Sequence, residues 1–383
     1  MGKIVVQAGM PKAGSSSVSA WLEREAGHLR SESGIHLCVA KARDGVVRVL
    51  PYVRGSLNSA SFLIAADATI EHRGRVIESF AASLDERAQS DGFVVLASEA
   101  FAEFFWRPDT AFLAALQDLT RRHEVHVAYY VRPQDTSLEA AWRQWGFRYS
   151  ALPSAYLASR EPQLRYLETY RTVKRLAPDV RFLPRPFRRD LLEGNVATDF
   201  DRRFLRGADA PVAPVSPWEN QGLPLDVVRA LRAAPRGLLW ESPHDNRAMR
   251  GVKKLAERLD GAESEDARRS RRILKRYSHD LYEAGNRELI TELGWNTDAF
   301  IQGVAHAGES GDLSRLDELW TSRASPLEQA LLHHALAEIV NAPGALLEQL
   351  AGELLRRCAR PGAKPVGTRR PKSLRRLLRR SWD

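Results

Sequence analysis

Residues 9–17, GMPKAGSSS, carry the side chains best suited to hold an anion. Gly9 and Gly14 have the spacing of the two glycines in a phosphate loop, G-x-x-x-x-G-K-[ST]. Ser15 stands where that loop has its lysine, however, and Lys12 sits in the middle instead. A helical pattern opens at Ser15, and a helix N-terminus offers unpaired backbone N–H groups and a partial positive charge. Ala13, Gly14 and Ser15 are small enough for the backbone to wrap a phosphate closely. Ser15, Ser16 and Ser17 add hydroxyl donors, Pro11 stiffens the entry, and Lys12 is placed at the loop's mouth. As residues alone, the same stretch also reads as a tight strand–helix turn with an exposed lysine.

Two more groups stand just after apolar runs. Arg132 follows HVAYYV (126–131), and its planar guanidinium suits bidentate phosphate binding. The plainer alternative is an arginine that closes a strand on the surface. Glu99 ends VVLASE, where partial desolvation is expected and where it could act as general base for an acceptor hydroxyl. Its alternatives are an ion pair with an arginine or a cap on the following helix. His36 and His72 are competing bases. His333 and His334 are adjacent on a helical pattern and cannot face one metal, and no metal-ligand constellation is legible, so no metal is expected.

These residues need a frame. Four near-continuous apolar runs, 3–8, 93–97, 126–131 and 180–184, read as strands covered on both faces. Helical patterns lie at 15–26, about 109–122, 135–147 and 163–177. Residues 35–90 read as a loop-rich stretch followed by a helix over about 71–89. The alternation predicts an α/β fold, a doubly wound and mainly parallel sheet. In such sheets ligands bind outside the carboxyl ends of the strands, which is where the 9–17 loop, Ser98-Glu99 and Arg132 all fall. After 185 the strand signals fade. A proline-rich connector (211–224) leads into helical patterns at 224–235, 246–260 and 264–291. The expected organisation is an α/β domain over 1–305, a helical extension over 306–358 and a basic tail over 359–383.

The net charge of +9 belongs to that tail. Residues 356–383 hold 11 Lys/Arg against one acid, a balance of +10, so the rest of the chain stands at −1. A general nucleic-acid-binding surface is therefore not expected. RRPKSLRRLLRRSWD (369–383) spaces leucines among arginines, and three readings stay open: an amphipathic segment on an anionic membrane surface, a polyanion contact, or a solubilising tail. No apolar run approaches the roughly 20 residues of a membrane span. The first strand is expected from Lys3, leaving no room for a signal peptide, and the two cysteines suggest no disulfide framework. A cytoplasmic, or peripherally membrane-associated, protein is expected.

The order Pro11-Lys12-x-Gly14-Ser15-Ser16 resembles the 5′-phosphosulfate loop of the sulfotransferases that use 3′-phosphoadenosine-5′-phosphosulfate (PAPS), bacterial branch, whose loop reads P-K-[ST]-G-T-T or a close variant. VAYYVRPQDTSLEAAWRQW (127–145) is similar to their 3′-phosphate segment, with Arg132 as its arginine. It departs from the pattern at Ala140, where that family has a serine; Ser137 lies one turn earlier. VRFLPRPFRRDLLEGNVATDF (180–200) looks like a later stretch of the same family, and the resemblance runs over roughly 3–302. It implies a P-loop-like three-layer α/β/α fold and sulfuryl transfer from PAPS to a hydroxylated acceptor. Lys12 would lie against the bridging oxygen and sulfuryl group, the 13–17 loop would hold the 5′-phosphate, and Arg132 the 3′-phosphate. Relatives often carry a Ser-Glu pair like Ser98-Glu99, which places Glu99 as base.

Overall fold

The computed structural model describes residues 1–53, 70–146, 152–213, 225, 228, 229, 264–295 and 310–322. The chain forms two compact units: Met1–Ala141 with Ser159–Asn220 and Lys275–Gly311, and Trp142–Ala158 with Gln221–Leu274 and Asp312–Asp383.

The first unit contains a six-stranded sheet. Its strands are β1 (Gly2–Gln7), β2 (Ile35–Arg43), β3 (Val46–Pro51), β4 (Phe93–Ala97), β5 (His123–Val131) and β6 (Arg181–Pro186), in the order β3-β2-β4-β1-β5-β6. Every pairing is parallel except β3 on β2. Central β1 is flanked by β4 and β5, so Gln7 lies level with Ala97 on one side and Ala128 on the other. The α/β, mainly parallel architecture read from the sequence is thus present, as are strands at all four expected places.

The helices α1 (Ser15–Ser33), α2 (Ile70–Asp91), α3 (Glu103–Trp106), α4 (Thr110–Leu119) and α5 (Gln134–Ala141) follow, with a further helix at Tyr166–Leu176 before β6. Successive side chains of β5 show that both sheet faces are covered. Tyr129 packs on Phe105 and Phe182, while Tyr130 packs on Phe204. On the Tyr129 face, Phe112 of α4 meets Phe80, Phe101, Phe104 and Phe105, all fully buried. Burying one such ring contributes about 1.5–3 kcal/mol, so this cluster anchors α2, α3 and α4 to the sheet.

The structure departs from the sequence expectation over 35–51. That stretch is the β2–β3 hairpin, turning at Asp44 (φ 52°) and Gly45 (φ 76°). Two consecutive residues with positive φ are what a two-residue type I′ turn requires, and Asp-Gly is the pair that adopts it most readily. The hairpin also moves His36 out of contention as a base. It lies at the amino end of β2, opposite Val94, with Nδ1 3.2 Å from the Asp91 carboxylate, on the edge remote from the strands' carboxyl ends. His72, on α2, lies against Gly45 of the turn.

In the second unit Trp142 meets Tyr156 and Trp320 at centroid distances of 5.8 and 5.1 Å. The Asp317 carboxylate accepts from the Ser154 backbone N–H at 3.0 Å. Of the helical extension expected over 306–358, residues 310–322 are described and contain the helix Ser314–Thr321. The tail at 359–383, His333 and His334 lie outside the described residues. Among the described residues no helix is long and apolar enough to cross a membrane.

Candidate functional site

The loop that leaves β1 is tied to β5 along its length. The Ala8 and Met10 N–H groups donate to the Ala128 and Tyr130 carbonyls (2.9 and 3.2 Å), and the Tyr129 hydroxyl donates to Met10 Sδ at 2.8 Å. Lys12 then adopts a left-handed backbone, φ 70°, which its Cβ disfavours by about 1–2 kcal/mol. This conformation is held by Arg132, whose Nη1 donates to the Lys12 carbonyl at 3.1 Å. A non-glycine residue in this region, locked by its surroundings, is the kind of strain that collects at functional sites.

Gly14 supplies the entry to α1. It is left-handed at φ 83°, and a Cβ there would stand 2.6 Å from Phe187 and 3.1 Å from Val196. Both conformation and space require glycine. Gly14→Ala is expected to lower stability by about 2 kcal/mol or more, read as a fall in the urea midpoint at unchanged slope. With Gly14 as its N-cap, α1 has no side-chain cap and no acidic residue in its first turn. Its first N–H groups and partial positive charge are therefore not neutralised from within the helix. Ala13 and Ser15 are buried; Ser16 and Ser17 are exposed.

On the β4 side, the Ser98 N–H donates to the Gln7 carbonyl at 3.2 Å, and the Ser98 side chain caps the short helical turn Glu99–Ala102. Ser15 Oγ donates to Glu99 Oε2 at 3.0 Å. Glu99 is exposed rather than half-buried, because it stands one residue beyond the buried Ser98. The structure thus brings the loop, Glu99 and Arg132 together. Lys12 and Ser15 lie on the loop from β1, Glu99 follows β4, and Arg132 follows β5.

Arg132 is itself oriented. Its Nε donates to Thr136 Oγ1 at 3.0 Å, and its carbonyl accepts from the Tyr166 hydroxyl at 2.8 Å. Ser137 is buried and lies against the Tyr166 hydroxyl, whose proton goes to the Arg132 carbonyl. Burial raises the neighbouring Asp135 carboxyl above its ordinary range, against the opposing pull of the Thr136 backbone N–H and of Lys275 and Arg132.

On the short helix that begins at Val196 lies the buried carboxylate of Asp199. It accepts from the Tyr130 hydroxyl (2.7 Å), Arg185 Nη2 (2.7 Å), the Glu193 N–H (3.2 Å) and Arg203 Nε (3.3 Å). Burial alone would raise its pKa. The hydrogen bonds from Arg185 and Tyr130, with the Arg185 charge, outweigh that and hold it below the usual carboxylate range. The group fixes the 187–196 segment that closes over Gly14. Sequence reading selected neither Asp199 nor Thr136, Tyr166 or Gln7 as part of the site. Only Gln7, a polar residue inside an apolar strand, carried a visible signal.

Among the described residues no group of three His, Cys, Asp or Glu side chains is placed to hold a metal. No family model matches the chain, nor does any curated protein or solved structure.

Proposed function

We propose that the chain is a PAPS-dependent sulfotransferase, built on a P-loop-like α/β core and acting on a hydroxyl or amine of an acceptor such as a glycan, a lipid or a small metabolite. The observation that carries this reading is the pair of hydrogen bonds that join the loop to its neighbours: Arg132 to the Lys12 carbonyl and Ser15 to Glu99. They collect a cationic loop, a second cation and a carboxylate at the carboxyl edge of β4, β1 and β5, the place where open α/β sheets take ligands. A lysine in mid-loop rather than after Gly14 argues against an ATP-dependent P-loop kinase.

The residues present suit the donor's charges. The start of α1, which carries no acid of its own, would take the 5′-phosphate with Ser16 and Ser17, and with Ser15 once its hydroxyl turns from Glu99. Lys12 would face the bridging oxygen, and Arg132 the 3′-phosphate. In the transfer, the bond between sulfur and the bridging oxygen breaks as the acceptor oxygen bonds to sulfur. The acceptor's proton passes to a base, and 3′,5′-ADP leaves. Lys12 neutralises charge on the departing oxygen, and the tethered loop does so without reorganisation. Glu99 takes the proton. Glu99→Gln should keep 3′,5′-ADP affinity while lowering 3′,5′-ADP release from saturating PAPS in the presence of acceptor. Full turnover in this variant would remove Glu99 from the mechanism.

One observation favours a second reading, a binding protein without turnover. Position 140 is alanine, and Ser137 lies against the Tyr166 hydroxyl, so no serine hydroxyl of α5 is placed to supplement Arg132. Donor binding with no 3′,5′-ADP release across an acceptor panel would select it.

A further inference from the structure

Gln7 is the last residue of β1 and is completely buried, yet neither atom of its carboxamide has a hydrogen-bond partner among the described residues. Its backbone is paired in the sheet with Ala97 and Ala128, and its carbonyl accepts from the Ser98 N–H. The unpaired side chain lies directly under the loop. A Cβ on Gly9 would come within 2.6 Å of Gln7 Nε2 and 3.6 Å of the Ser15 Cβ. Gly9 is therefore a contact surface for the carboxamide and also lies close to Ser15, the first residue of α1.

A buried carboxamide without partners is destabilising, since it has given up water and received nothing in return. Nothing in the strand demands it, because Ile4, Val5 and Val6 fill the same environment with apolar side chains. A strand that places glutamine there needs a reason outside the empty fold. The neighbouring features supply one: the uncapped start of α1, the strained Lys12 and Arg132 all favour a negatively charged ligand at this loop. A carboxamide can present either its oxygen or its nitrogen, and an anion selects the nitrogen.

We propose that Gln7 is a ligand-facing donor of this loop, its carboxamide N–H binding an oxygen of the phosphoryl-class anion held over the N-terminus of α1. The absence of a side chain at Gly9 leaves the room that the carboxamide occupies beside the loop. This rests on the reading of the loop as an anion site, but not on which nucleotide fills it. The empty protein carries an unsatisfied polar group that the ligand satisfies, so affinity is gained at the expense of stability in the free state.

The test replaces Gln7 with methionine, which keeps length and volume but has no donor, and with glutamate, which keeps shape but presents only acceptors when ionised. Wild type and variants are titrated calorimetrically with 3′,5′-ADP, ATP and inorganic pyrophosphate, and melted without ligand. Gln7→Met is expected to melt at or above the wild-type temperature and to bind the preferred anion about 10–100-fold more weakly, the loss of one hydrogen bond to a charged group. Gln7→Glu is expected to bind more weakly still. Gly9→Ala, which displaces the carboxamide, should reproduce the affinity loss. A lower melting temperature for Gln7→Met would assign the carboxamide a structural partner and overturn the proposal, as would unchanged affinity. Wild-type preference for ATP with the Gln7 effect intact would overturn the sulfotransferase reading alone. Wild type that binds none of the three probes would overturn both.

Discussion

Lys12→Ala is expected to lower turnover about 10²–10³-fold, measured as 3′,5′-ADP release from PAPS in the presence of acceptor. That is the usual loss for one preorganised group that stabilises charge in a transition state. The substitution removes the charge. Arg132 grips the carbonyl of residue 12, not its side chain, so alanine leaves the tether of the loop in place. Alanine also bears a Cβ and keeps the backbone strain of φ 70°. Lys12→Gly provides the contrast: it removes the charge and relieves the strain, so it should match Lys12→Ala in turnover while melting higher. Unchanged turnover in either variant would take the loop out of the chemistry.

Asp199→Ala should produce the largest loss of stability, about 3–5 kcal/mol, the range for breaking a buried ion pair and leaving its partner uncompensated. Arg185 is the chief partner left behind, with Tyr130 losing the acceptor of its buried hydroxyl. The sign of the pH dependence follows from the depressed carboxyl. Its contribution is fully present above the ordinary aspartate value of about 3.9 and is lost as pH falls through the lower folded value. Urea unfolding across pH 2–7 should show wild type losing stability steeply at the acid end and Asp199→Ala less steeply. Parallel profiles would mean that Asp199 is not the acid-sensitive contact. Because Asp199 fixes the segment over Gly14, the variant should also bind anions more weakly.

The parts of this structure written in short-range pattern were legible. A buried parallel strand is a short apolar run, and the runs at 3–8 and 126–131 became β1 and β5. The loop and Arg132 fell at strand ends, and adjacency in the sheet brought them within a hydrogen bond of each other. The β2–β3 hairpin escaped because β2 carries His36, Lys41 and Arg43 among its apolar residues, which breaks both the run and the alternation. Its Asp44-Gly45 pair was the signal that would have found it. Glu99 was placed correctly in the chain but expected too deep; one residue past the last buried position is enough to reach water. Asp199 and Tyr166 act through partners 69 and 34 residues away, and such pairings have no local signature.

The most direct test is calorimetric titration of the full chain with 3′,5′-ADP, against ATP and 5′-AMP. Selective binding of 3′,5′-ADP, weakened by both Lys12→Ala and Arg132→Ala, is the predicted result, because the two cations would hold opposite ends of that molecule. Preference for ATP, or no binding of any of the three, would contradict the proposed function.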